Sequence, residues 1–90
     1  MKTFSAKIID PIGLHARPTS VIASEASKFK SDIVIVLDKT SKVGNLKSVM
    51  MVLSMNIRKN DLITIKANGE DEEEAINDLL KALKANNLIA

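Results

Sequence analysis

Phe4, Ala6 and Ile8 alternate with Ser5 and Lys7, the period of two that a half-buried strand requires, and the pattern stops at the turn signal Asp10-Pro11-Ile12-Gly13. From Ala16 to about Phe29 the apolar residues Val21, Ile22, Ala26 and Phe29 recur at spacings of one, four and three, which makes one face of a helix. Pro18 suits that start, because the first helical N–H groups have no intrahelical acceptor and a proline there removes no bond. The β-branched run Ile33-Val34-Ile35-Val36-Leu37, between turn-rich flanks, predicts a second strand. After a polar connection, Asp38 to Lys42, a short segment around Val43 is expected to pair back on it as a hairpin.

Val49-Met50-Met51-Val52-Leu53 fits a strand or a helix by hydrophobicity alone. Ser48 before it is a good N-cap, and three methionines with two leucines between positions 46 and 55 favour helix. Leu62-Ile63-Thr64-Ile65-Lys66 reads as the last strand, closed by Asn68-Gly69. In the final helix Ile76, Leu79, Leu80 and Leu83 stand at i, i+3, i+4 and i+7. Asp71 and Glu74 have the spacing of a capping box, acids crowd the start, and Lys81 and Lys84 lie near the end. The order β-α-β-β-α-β-α predicts an α+β fold: a two-layer open-faced sandwich, with a four-stranded antiparallel sheet covered on one face by three helices. Val34 and Val36 then point away from Ile33, Ile35 and Leu37, so the open face is expected to carry some apolar area.

Composition bounds what such a fold does. Ninety residues form one small domain, 1–90, with room for a core but not for a core plus a deep enclosed cavity, which argues against a stand-alone enzyme. The absence of cysteine excludes disulfides and thiolate zinc sites, and a single histidine excludes a His-rich metal cluster; no cofactor is implied. Lys2 is followed by no apolar stretch of signal-peptide length, and runs such as Val49 to Leu53 are far too short to span a bilayer. The expectation is a soluble, cytoplasmic protein without membrane insertion. A net charge of +2, with two phenylalanines and no Trp or Tyr, gives nucleic acid neither a basic footprint nor a stacking platform.

The chemistry concentrates in Gly13-Leu14-His15-Ala16-Arg17-Pro18, which holds the only histidine, just before a helix. Free imidazole has a pKa of about 6.5 and is nucleophilic when neutral, and the partial positive charge of a helix N-terminus opposes its protonation. Once a phosphoryl group is attached, the unpaired N–H groups near Ala16 and Arg17 can donate to its oxygens, with Arg17 adding a charge-assisted bond. Composition alone weighs against this: a lone histidine at a loop-to-helix junction is more often a surface residue or a cap. By the same measure Arg17 is a solvated side chain, Ser48 an ordinary N-cap, and Val49, Met50 and Leu53 core.

A resemblance changes that balance. Gly13-Leu14-His15-Ala16-Arg17-Pro18 resembles the active-site signature of the HPr family, the histidine-containing phosphocarriers of the bacterial phosphoenolpyruvate-dependent sugar phosphotransferase system. Asn45-Leu46-Lys47-Ser48-Val49-Met50 resembles that family's regulatory serine region, and chain length and element order agree with the family from end to end. The resemblance implies that His15 is phosphorylated on Nδ1 by Enzyme I and passes the group to sugar-specific IIA domains, with Arg17 stabilising the phosphate and the chain acting as a monomeric carrier without turnover of its own. It also implies phosphorylation of Ser48 by an HPr kinase/phosphorylase, docking to a catabolite-repression regulator, and a partner surface that includes Thr19, Ser20, Val49, Met50 and Leu53. Thr19 replaces the family's usual alanine, and Met51 stands where many Gram-positive relatives have glycine; these departures bear on partner choice rather than on His15, Arg17 or Ser48. The alternative reading is a noncatalytic regulatory module acting mainly through Ser48.

Overall fold

In a computed structural model describing Met1–Ala90, the chain runs β1 (Lys2–Lys7), α1 (Ala16–Ala26), β2 (Asp32–Leu37), β3 (Lys42–Asn45), α2 (Val49–Ser54), β4 (Leu62–Asn68) and α3 (Glu72–Ala85). The element order is the expected one, and the four strands form one antiparallel sheet in the order β1-β4-β2-β3. Directly opposed residues share a face, so the rows Phe4-Ile65-Ile35-Gly44 and Ala6-Ile63-Leu37 point together toward the helices. Ile33, Ile35, Leu37, Ile63, Ile65 and Ala67 are all buried there, while Phe4 and Ala6, whose alternation marks β1 in the sequence, are half-buried on the same face. The other face carries Val34 and Val36, half-buried, and the exposed Val43. Polar side chains cross it: the Thr64 hydroxyl donates to Asp38 Oδ1 at 2.9 Å, so the 2.8 Å contact with Ser5 Oγ has Ser5 as donor.

Helix α1 stops three residues before Phe29, the expected end. Ser27 closes it, its hydroxyl donating to the Ala23 carbonyl at 2.8 Å, while Lys28 and Phe29 make tight i→i−3 bonds to Glu25 and Ala26. In α2 the helix reading holds because Ser48 caps it, Oγ accepting from the Met51 N–H at 3.3 Å.

The capping box predicted from Asp71 and Glu74 does not form. Asp71 makes no cap bond; its carboxylate instead accepts from the N–H groups of Lys30 at 2.8 Å and Ser31 at 2.9 Å and from the Ser31 hydroxyl, tying the α1–β2 loop to α3. Glu72 takes over at the helix start, accepting from the Gly69 N–H at 3.2 Å. At the far end Asn87, with φ of 58°, terminates α3 in a Schellman motif, Asn87 N–H bonding Lys84 O and Leu88 N–H bonding Leu83 O. Leu88 and Ile89 are buried behind it, and the Leu88 carbonyl accepts from the Ile9 N–H at 2.8 Å.

That last bond brings α3 against the loop between β1 and α1. Asp10 Oδ1 accepts from the Ile12 N–H at 2.9 Å, the Asp10 carbonyl accepts from the Gly13 N–H at 3.0 Å, and Gly13 turns the chain at φ of +82°. Glycine is required twice over, since a methyl would collide with the Ile57 carbonyl and lie 2.7 Å from the Arg58 Cα. Leu14 is then buried, its N–H bonded to Ile57 O at 3.0 Å. No helix is long and apolar enough to cross a membrane.

Two stability measurements test this framework. Gly13→Ala should lower the unfolding free energy by about 1–3 kcal/mol in urea denaturation, since strain and collision act together; an unchanged midpoint contradicts the close approach. The Ser31 hydroxyl, followed by the Lys30 N–H, holds the Asp71 carboxyl below its ordinary 3.8 in the folded chain. The unfolded state therefore binds more protons in acid, and the contribution of Asp71 is complete above pH 3.8 and lost as pH falls through the lower folded-state value. Asp71→Asn should depress the thermal midpoint at neutral pH by an amount that shrinks below pH 3.8, and a gap constant into strong acid would contradict the assignment.

Candidate functional site

His15 is the N-cap of α1, in extended conformation with φ of −96° and ψ of 179°. Its carbonyl accepts the Thr19 N–H at 3.1 Å, while its side chain makes no capping bond and is 36% exposed. The N–H groups of Ala16 and Arg17 have no partner in the chain, and Pro18 has none to offer. The helix start thus presents two free donors beside an uncommitted imidazole. The Nε2 atom lies 3.9 Å from Asp10 Oδ1. Arg17 is exposed and takes part in none of the chain's ion pairs, so its charge is available. Asp10, His15, Arg17, Pro18, Val21 and Asn86 line a shallow, open depression. Such a surface can present a small group to another protein but cannot enclose a substrate.

Ser48 does not line that depression; it caps a different helix, α2, which packs against α1. Asn45 builds its turn: the side chain accepts from the Lys47 N–H at 2.9 Å and the carbonyl from the Ser48 N–H at 2.9 Å. The Lys47 ammonium donates to the Phe29 carbonyl at 2.8 Å, fixing this turn to the exit of α1. The Ser48 side chain remains partly accessible.

Of the apolar residues after Ser48, only Val52 within α2 is buried. Met50 is 82% exposed, Met51 and Leu53 are exposed, and Val49 is half-buried, so the compositional reading of Val49, Met50 and Leu53 as core is corrected. A six-residue helix presents one turn to the core, and its remaining apolar side chains face out. Ser20 is exposed.

Thr19 is a second correction, for it is 2% exposed and is not presented to a partner. Thr19, Ile22, Ala23 and Ala26 stand at i, i+3, i+4 and i+7 and form the inward stripe of α1, which leaves Val21, expected on the core face, exposed. The Thr19 hydroxyl has no hydrogen-bond partner. Sequence reasoning also passed over Ile12, 69% exposed on the His15 loop, and Asn86, whose place in the depression comes from the end of α3. Asp10 was legible only as a turn former. No group of three or more His, Cys, Asp or Glu side chains is placed to hold a metal ion.

Residues 2–85 match the family model described as the phosphotransferase-system HPr component phosphorylation site. Over 89 residues, 99% of this chain and all of the relative, the sequence is 52% identical to the phosphocarrier protein HPr of Mycoplasma genitalium. That of Mycoplasma pneumoniae is 46% identical over the same shares. A solved Mycoplasma histidine-containing phosphocarrier protein superposes with a TM-score of 0.94 at 48% identity, covering 98% of each chain. Between the full-length match and a His15-bearing helix start, the chain belongs to the HPr family, the phosphocarriers of the phosphotransferase system.

Proposed function

We propose that His15 accepts a phosphoryl group on Nδ1 from phosphorylated Enzyme I and passes it to sugar-specific IIA domains. The observation that carries this reading is the uncommitted imidazole at the N-cap of α1 beside the unbonded N–H groups of Ala16 and Arg17. The Nδ1–phosphorus bond forms as the bond from phosphorus to the donor breaks, and the group leaves by the reverse exchange. Charge neutralisation and positioning are what such a transfer needs. Backbone donors at an exposed helix start contribute about 0.3–1 kcal/mol each, and the Arg17 guanidinium adds a charge-assisted bond. Modest stabilisation suits a carrier, since a phosphate held much more tightly would resist onward transfer. The partners supply the rest of the catalysis, and the chain acts as a cytoplasmic, monomeric intermediate without turnover of its own.

Ser48 is the proposed regulatory site, modified by an HPr kinase/phosphorylase and read by a catabolite-repression regulator. A phosphate on an N-cap is favoured by the helix dipole, so the fold of α2 tolerates it. Its charge falls beside Met50, Met51 and Leu53, an exposed apolar surface whose flexible thioethers suit several partners. Added negative charge there raises the desolvation cost of docking and repels an acidic partner. The accessibility of Ser48 also supports the second reading, a noncatalytic module regulated mainly at that serine.

Labelling separates the two. Phosphoenolpyruvate with Enzyme I should give an acid-labile phosphate that is lost in His15→Ala and kept in Ser48→Ala; a folded wild-type chain that takes no label sinks the carrier reading. Ser48→Asp should slow acceptance at His15 roughly tenfold or more, the factor that a docking loss of about 1.4 kcal/mol produces. An unchanged rate across a range of Enzyme I concentrations would count against the docking explanation.

A further inference from the structure

Resting on the carrier reading, we infer that Asp10 is a positioning residue that selects which imidazole nitrogen carries the phosphoryl group. Asp10 Oδ1 lies 3.9 Å from His15 Nε2, and Asp10 is the only carboxylate lining the depression. It is firmly held. Its Oδ1 accepts from the Ile12 N–H, its carbonyl accepts from the Gly13 N–H, and the residue before it is bonded through its own N–H to Leu88 at the end of α3. The carboxyl side chain is only 19% exposed, so its field is screened less than that of a free surface acid.

The separation is too long for a hydrogen bond, so the effect is Coulombic. A neutral imidazole carries its proton on one nitrogen or the other, and the surroundings of each decide the balance. A fixed negative charge beside Nε2 favours the N–H there and leaves the lone pair on Nδ1. Attack by that lone pair forms the nitrogen–phosphorus bond as the donor bond breaks, and the Nε2 proton stays in place, facing Asp10, while the ring becomes cationic. No proton has to leave. The opposite choice is penalised twice, because phosphorylation at Nε2 would need the disfavoured tautomer and would set a phosphoryl dianion against the carboxylate. Arg17 and the free N–H groups of the helix start supply positive potential to the site, so Asp10 gives it a polarity that those groups alone do not.

A plain turn-forming role is distinguishable from this one. Asp10→Asn and Asp10→Ser each keep an oxygen that can accept from the Ile12 N–H and remove the charge. With histidine-15N protein at about pH 9, where an ordinary imidazole is neutral, long-range 1H–15N correlations report the tautomer populations directly. The wild-type chain should favour Nε2–H, and the ratio should fall on the order of threefold in both variants and on raising the salt, as expected for a partly screened charge at this distance. Backbone amide shifts identify any variant that fails to fold, and the salt series on the wild-type protein provides a test that needs no variant. After labelling with phosphoenolpyruvate and Enzyme I, 31P–15N couplings should place phosphorus on Nδ1 in the wild type and reveal an Nε2 fraction in the variants. Equal tautomer ratios in folded Asp10→Asn and wild type overturn the assignment. The tautomer readout needs no phosphorylation, so a charge-dependent ratio in a chain that takes no label would overturn the carrier reading alone.

Discussion

The hydrogen bond from the Leu14 N–H to the Ile57 carbonyl, and the backbone contact at Gly13 that permits it, hold together two connections far apart in the chain. One joins β1 to α1 and carries His15; the other joins α2 to β4. Ile8 and Asn60 reinforce the junction, the Ile8 N–H bonding Asp61 O and the Asn60 N–H bonding Ile8 O. With these contacts in place the chain must enter α1 at His15, so the imidazole occupies the N-cap with its ring uncommitted. Loosening them would leave the same six-residue motif without the geometry that gives it a use.

Much of the fold lies open in the sequence because it follows local rules. The apolar runs of β2 and β4 set alternate residues on one buried sheet face, joined by the half-buried Phe4 and Ala6 of β1, and Ser48 announces a helix start that the structure contains. What is hidden depends on competition between distant partners. Asp71 has the right neighbours for a cap, but Lys30 and Ser31 arrive with three donors and take its carboxylate. The inward stripe of α1 begins at Thr19, which polarity alone assigns to the surface, and Val21 is correspondingly turned out. Burial of a threonine is decided by what packs over it rather than by its own hydropathy.

The candidate site follows the same division. His15, Arg17 and Ser48 are readable from their residue types and their motif, since a helix start is a local object. Asp10 and Asn86 reach the depression through turns and helix ends set by tertiary contacts, and nothing in their immediate neighbours marks them. The exposed methionines of α2 are likewise a consequence of a short helix lying over a core it can cover with only one turn. Surface and site are therefore built differently: a helix start that leaves an imidazole and two backbone donors uncommitted, and an exposed apolar ledge on a neighbouring helix.

The sheet order β1-β4-β2-β3 has a consequence for how the protein is made. The first strand to emerge from a ribosome has as its only sheet partner the last strand, β4, and the hairpin of β2 with β3 is the only strand pairing available in the interval. The His15 loop has to wait as well, because its anchor at Ile57 is synthesised more than forty residues later. A nascent or truncated chain carries the complete Gly13–Pro18 motif yet lacks its scaffold, so the folded geometry of the motif would arrive only once most of the chain is released.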